Sequence, residues 1–163
     1  MSVTIAYIGL GSNLNDPQQQ ILTAFDALDS IDGCQLTARS SLYGNPPMGP
    51  QDQPDYVNAV AELETSLSAQ QLLTAMLETE LAFGRDRNAA VHWGPRILDL
   101  DLLVFGAEVI DEPALKVPHT GICDRNFVLL PLMEIAPALE VPGLGKLRDL
   151  AQRFAVDELR KLN

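Results

Sequence analysis

Positive charge is scarce in this chain. Against 22 Asp and Glu, the 163 residues carry 11 Lys and Arg, a formal net charge of −11. That balance repels nucleic acid and anionic membranes, so neither is an expected partner. Cysteine is scarcer still. Cys34 and Cys123 fit no metal-ligand spacing and no dense disulfide framework, which points to a reducing cytoplasm with both thiols as packing residues. No apolar run is long enough to span a membrane. The run from Val3 to Leu10 lacks a basic flank and is punctuated by Thr4 and Gly9, so it reads as a strand and not as a signal peptide. There is one tryptophan, no internal repeat, no low-complexity tract and no linker. What is present is an ordinary globular composition, 47% hydrophobic and 20% charged. The length suits a single domain over residues 1–163 that buries roughly two thirds of its unfolded surface.

The charge is also unevenly spread. Residues 1–84 hold ten acids and one base, Arg39. Arg85, Arg87 and Arg96 then fall within twelve positions, with Arg125 further on. An acidic chain that gathers arginine in one loop is equipped to handle a small anion there; the plainer alternative is a solvated loop of scattered charge.

Along the chain, Val3–Leu10 reads as a buried strand and "GLGSNLNDP" as the turn after it. Asp16, Pro17 and Gln19 then suit the N-cap, first-turn and capping-box positions of a helix. Ile21, Leu22, Phe25 and Leu28 keep helical spacing up to Asp32-Gly33. Cys34–Tyr43 reads as a second strand. Four prolines and two glycines make Gly44–Pro54 irregular,. "DYVNAVAELET" alternates, with Val57, Ala59, Ala61 and Leu63 on one face and Tyr56, Asn58 and Val60 on the other. Ser68 with Gln71 forms another capping box, and Leu72, Leu73, Met76, Leu77 and Leu81 carry a second helix to Gly84. The strand "LDLDLLVF" follows the arginine loop. The order is β-α-β-β-α-β, the ferredoxin-like arrangement of helices on one face of an antiparallel sheet, an α+β sandwich. Strand pieces around Val109 and Val117, an apolar helix from Phe127 to Ile135 and a terminal helix from about Lys146 elaborate it.

Two carboxylates interrupt the last core strand. Side chains at i and i+2 share a face at roughly 6.5–7 Å spacing, so Asp99 and Asp101 lie together while Leu98, Leu100 and Leu102 face the core. Such a pair suits Mg²⁺, which takes one or two carboxylates and completes its shell with phosphates and water. The competing reading, an edge strand guarded by inward charges, leaves the arginines unexplained. Arg96, just outside the strand after Gly94-Pro95, can swing over the aspartate face, and arginine with Mg²⁺ on one phosphate chain serves phosphoryl transfer. No GxxxxGK motif is present, and "GLGSNL" lacks the third glycine of a dinucleotide fingerprint. Tyr56 and Asn58 offer an aromatic plane beside an amide, suited to a flat heterocycle or, more plainly, to closing a sheet face. His119, in "VPHTG", is a phosphate or metal neighbour or a structural turn residue.

"HWGPRILDLDLL", with "NPPMGPQDQPDYVNAV" upstream and "VPH" downstream, resembles the 6-hydroxymethyl-7,8-dihydropterin pyrophosphokinase family of folate biosynthesis, from Ile5 to the C-terminal region. The resemblance implies two substrates, ATP and the hydroxymethyl dihydropterin, and transfer of a pyrophosphoryl group with AMP leaving. It implies two Mg²⁺ ions on Asp99 and Asp101, and Arg85 and Arg96 as loop arginines on the phosphates, with Arg87 and Trp93 in the same loop. Glu80, Leu102, His119 and Arg125 would lie at the nucleotide. Asn45, Pro46, Met48, Tyr56, Asn58 and Phe127 would form the pterin pocket, together with Trp93. A cytoplasmic monomer is expected. Thr120, Asn45, Ala114, Lys116 and a loop one residue longer before Trp93 depart from the family pattern, and they bear on contacts to ATP more than on the chemistry. Rival readings are an RNA-recognition module, which the charge and the aspartate pair oppose, a phosphohydrolase using the same pair, and a pterin- or nucleotide-binding protein without turnover.

Overall fold

A computed structural model describes residues 2–45, 55–84, 97–154 and 159–162, with Asn45 described by its backbone. Its centre is β1 (Thr4–Ser12), flanked on one side by β4 (Tyr56–Thr65) and on the other by β5 (Asp99–Phe105), both antiparallel to it. β2 (Cys34–Arg39) and β3 (Tyr43–Asn45) both pair with β4, and β3 also takes a short C-terminal strand. Among the described residues the sheet ends at β5. Helices α1 (Pro17–Asp29) and α2 (Ala69–Ala82) fill the two connections that the sequence assigns to them. Beyond the sheet come a hairpin, β6 (Ile110–Glu112) with β7 (Leu115–Val117), then α3 (Asn126–Ile135). A small hairpin, β8 (Glu140–Val141) with β9 (Gly145–Lys146), leads into α4 (Leu147–Ala151), and β10 (Arg160–Lys161) is the strand on β3.

Period-two alternation divides the interior into two cores. Val57, Ala59, Ala61 and Leu63 join Ile21, Phe25, Leu28, Leu72 and Met76 under α1 and α2. Tyr7 and Val60 join Val128, Leu129 and Leu132 of α3 and Leu147 of α4 on the other face. Each fully buried Leu, Ile or Phe contributes about 1.5–3 kcal/mol. The fold is thus a mixed α/β structure on an antiparallel sheet covered on both faces. Among the described residues no helix is long and apolar enough to cross a membrane.

Four local expectations change. Strand β1 runs on through Gly9–Ser12, where the glycines suggest a turn, because ladders on both sides hold it: Gly11 pairs with Asn58 and with Asp99. Asp16 adopts φ 61 and makes no side-chain cap, while Gln19 donates to Thr23 Oγ1 at 3.2 Å instead. The Ser68–Gln71 capping box, by contrast, forms in full. The second strand breaks after Arg39, where Ser40 stands in for a ladder partner by exchanging hydrogen bonds with Val60, the Ser40 amide to Val60 O and the Val60 amide to Ser40 Oγ, both 2.8 Å. β3 reaches into the proline-rich stretch through Gly44, where a Cβ would stand 3.3 Å from Arg160 Nη2 of β10.

A polar clamp joins α3 to β3. Glu134 accepts from the Ser41 amide at 3.0 Å, from Ser41 Oγ at 2.9 Å and from Tyr43 Oη. Partial burial raises the Glu134 carboxyl, but the Tyr43 and Ser41 hydrogen bonds and nearby Lys161 outweigh it and hold it below its ordinary range. A carboxylate so depressed stabilises the fold above its unfolded value, and that stability is lost as pH falls through the folded one. Glu134→Gln is therefore expected to cost about 1 kcal/mol near neutral pH, allowing for solvent screening. In urea unfolding the gap from the parent protein should close in acid; a gap unchanged across that range counts against the clamp.

Candidate active site

Strand register assembles the site. Asp101 lies opposite Gly9 and Asp99 opposite Gly11; on the far side of β1 the same glycines face Val60 and Asn58. Cross-strand partners share a face, so the acidic pair and Asn58 stand on the α3 side with two glycines between them. Without side chains there, the β1 backbone becomes the floor of a cleft. Asp99 and Asp101 form one wall and Tyr56 and Asn58 another, with Arg125, Phe127 and Val128 from the start of α3 completing the lining. A Cβ on Gly11 would stand 3.0 Å from Asn58 Oδ1. Sequence reasoning missed these two glycines. Their spacing, i and i+2 in a strand, is the available signal, since glycine inside a strand marks close approach of a ligand or backbone.

Why the α3-side core stops at the acids is also visible. Strand β5 carries an extra residue, with Ile8 opposite Leu102 and Tyr7 opposite Val104, so Leu103 bulges. Leu103 and Val104 consequently both pack on the α3 side while Leu102 and Phe105 face α1 and α2. Strict alternation would put Leu103 and Val104 on opposite faces. The bulge closes the core beside Gly9, whose added Cβ would meet Leu103 Cδ2 at 3.4 Å.

Glu80 lies behind this wall. It is 1% exposed, and its Oε2 accepts the amide of Leu100 at 2.8 Å. Because among the described residues β5 is the last strand on that side of the sheet, this carboxylate supplies the acceptor that a neighbouring strand would otherwise give, and it fixes the residue between the two aspartates. Glu80→Ala is expected to cost on the order of 1–3 kcal/mol for the stranded amide, with Glu80→Gln recovering most of it through its amide oxygen. Urea unfolding of the pair checks this, and equal losses in both variants would count against the hydrogen bond.

A second, larger cleft opens on the other side of Asp101. Leu73, Met76 and Leu77 of α2, Leu100 and Leu102, Pro113–Lys116 of the β6–β7 hairpin, His119 and Thr120 line it. Lys116 is ion-paired with Asp111 across the hairpin, which holds the Asp111 carboxyl below its ordinary range. His119 is tied to the sheet edge, its amide donating to Leu103 O at 2.9 Å. Its Nε2 stands 3.5 Å from Asp101 Oδ1, and Arg125 Nη1 stands 3.8 Å from Asp101 Oδ2. Asp101 lines both clefts.

The family model for 7,8-dihydro-6-hydroxymethylpterin-pyrophosphokinase matches residues 7–137. The chain belongs to this family. A 2-amino-4-hydroxy-6-hydroxymethyldihydropteridine pyrophosphokinase of Haemophilus influenzae is 45% identical over 97% of this chain and 98% of its own. The Pseudomonas aeruginosa protein of the same name is 44% identical over 96% and 95%. In fold, the chain superposes on the wild-type Plasmodium falciparum HPPK-DHPS crystallised with pteroate with a TM-score of 0.73 at 14% identity, covering 93% of this chain and 42% of that one.

Of the residues that the family resemblance singles out, Tyr56, Asn58, Asp99, Asp101, Arg125 and Phe127 come together in the first cleft, and Asp101, Leu102 and His119 in the second. Arg85, Arg87, Trp93 and Arg96, Pro46 and Met48, and the side chain of Asn45 lie outside the described residues. Among the described residues no three His, Cys, Asp or Glu converge as a metal cluster. The donor set is the two aspartates, all oxygen, with room left for phosphate and water, which fits a hard divalent cation.

Proposed function

We propose that Asp99 and Asp101 are where two substrates meet, ATP in the larger cleft and a hydroxymethyl dihydropterin over the glycine floor. The chain transfers the pyrophosphoryl group of ATP to 6-hydroxymethyl-7,8-dihydropterin in folate biosynthesis, as its family and named relatives do. The observation that carries the placement is that one carboxylate, Asp101, lines both clefts. The pterin hydroxyl oxygen attacks the β-phosphorus, the bond from that phosphorus to the α–β bridging oxygen breaks, AMP leaves, and the hydroxyl proton is released with the products, reaching solvent as the site opens.

Asp99 and Asp101 would hold two Mg²⁺ ions, which when bound neutralise charge on the attacking and leaving oxygens. The remaining work falls to the chain. Tyr56 and Phe127 would flank the flat ring and Asn58 would read its edge through an amide that both donates and accepts. Arg125 and His119 would face the phosphate chain, with Lys116 and Leu102 toward the nucleotide and Glu80 holding the strand beneath. Arg85 and Arg96 would close on the phosphates with Arg87 and Trp93, excluding water that would otherwise hydrolyse ATP. Asn45, Pro46 and Met48 would complete the pterin side. The element order supports a ferredoxin-like core, and the free thiols of Cys34 and Cys123 suit a reducing, cytoplasmic setting.

The test is an assay with ATP, Mg²⁺ and the hydroxymethyl dihydropterin in which AMP is measured. AMP formed only when both substrates and a divalent ion are present supports the proposal. Phosphate or pyrophosphate released without pterin would identify hydrolysis and overturn it.

A further inference from the structure

The turn between β7 and α3 contains Gly121, the last residue of "VPHTG", to which neither the family resemblance nor the proposed chemistry gives a role. Its φ of −94 and ψ of 6 lie outside the left-handed region and do not require glycine. Space does. A Cβ at this position would stand 2.7 Å from Arg125 Nε and 3.0 Å from its Cζ, so the guanidinium rests against the Gly121 backbone. From that seat Arg125 Nη1 stands 3.8 Å from Asp101 Oδ2, and the guanidinium carbon is 5.7 Å from the centre of the Phe127 ring. The Gly121 amide also donates to His119 Nδ1 at 3.0 Å. A ring nitrogen that accepts a hydrogen bond carries no proton, so the ring proton sits on Nε2, 3.5 Å from Asp101 Oδ1. Two donors from different positions thereby face the two oxygens of one carboxylate.

We infer that Gly121 is a positioning residue for the acidic pair: its amide fixes the His119 tautomer, and its missing side chain seats the Arg125 guanidinium beside Asp101. The inference rests on the proposed function, because it takes this cluster to receive a polyphosphate. Preorganised charge is sensitive to small displacements, and about 1 Å of misplacement can cost about 100-fold. Gly121→Ala keeps the amide and the backbone conformation but pushes the guanidinium out of its seat.

The experiment is a double-mutant cycle in kcat/KM for ATP with Gly121→Ala, Arg125→Ala and the pair, with melting temperatures measured alongside. Gly121→Ala is expected to lower kcat/KM about 10- to 100-fold with little change in melting temperature, and to add nothing once Arg125 is alanine. Nitrogen-15 NMR of His119 should show the Nε2–H tautomer in the parent protein and in Gly121→Ala. Losses that multiply in the double variant, a Gly121→Ala enzyme as active as the parent while Arg125→Ala is impaired, or an Nδ1–H tautomer in the parent each overturn the positioning role alone. Absence of ATP- and pterin-dependent turnover in the parent protein instead overturns the proposed function, and this inference with it.

Discussion

Asp101→Ala is expected to lower turnover by at least about 1000-fold, equivalent to roughly 4 kcal/mol of transition-state stabilisation, with a melting temperature within a few degrees of the parent. The large term is catalytic. On the proposed function pyrophosphoryl transfer is centred on the acidic pair, and removing one of the two carboxylates would disable the place where attacking and leaving oxygens are neutralised. The structural terms are small and opposed. Asp99 and Asp101 repel each other across one strand face, which favours the substitution in the protein without ligands. The contacts to Arg125 and His119 are 3.8 and 3.5 Å and the aspartate side chain is 33% exposed, so losing them costs about 0–1 kcal/mol. Steady-state turnover and thermal unfolding on the same preparation separate the two. A variant that keeps more than a tenth of parental turnover refutes the assignment of Asp101.

Gly11→Val is expected to weaken pterin binding by about 100-fold or more, about 2.7 kcal/mol, while ATP binding and stability change little. Valine suits a strand, where glycine costs roughly 0.5–1 kcal/mol relative to alanine, so the substitution does not threaten β1. Its side chain would instead rise into the floor of the cleft, where even a Cβ stands 3.0 Å from Asn58 Oδ1 and 3.8 Å from Tyr56 Cδ1. Gly9→Ala is the milder comparison, since its Cβ meets Leu103 Cδ2 at an ordinary 3.4 Å. Calorimetric titration with pterin, and separately with ATP, reads both variants. Unimpaired pterin binding in Gly11→Val would place the ring somewhere other than over β1.

Much of this is legible in the residues alone. The alternation of Tyr56–Thr65, the Ser68–Gln71 box and the placement of Asp99 and Asp101 opposite the core leucines all follow from local periodicity, and local periodicity survives tertiary packing. The continuation of β1 through Gly9 and Gly11 is not legible, because glycine signals a turn locally and only ladders to strands far along the chain overrule it. The Leu103 bulge is hidden for a related reason. An extra residue is defined by its partner strand, and the run of Leu102, Leu103, Val104 and Phe105 looks the same with or without it. The site combines both kinds of information. Its acidic pair can be read from one strand, whereas the glycine floor, the support that Glu80 gives to Leu100, and the approach of Arg125 to Asp101 depend on segments that meet only in three dimensions.

The bond between Glu80 and the Leu100 amide leaves a built-in reporter at the centre of the site. Ladder amides exchange with deuterated solvent when strands part, but this one is released when helix α2 lifts from the sheet edge. Its exchange rate therefore times the undocking of a helix from a position between the two acids, and mass spectrometry or NMR can follow it without any substrate present.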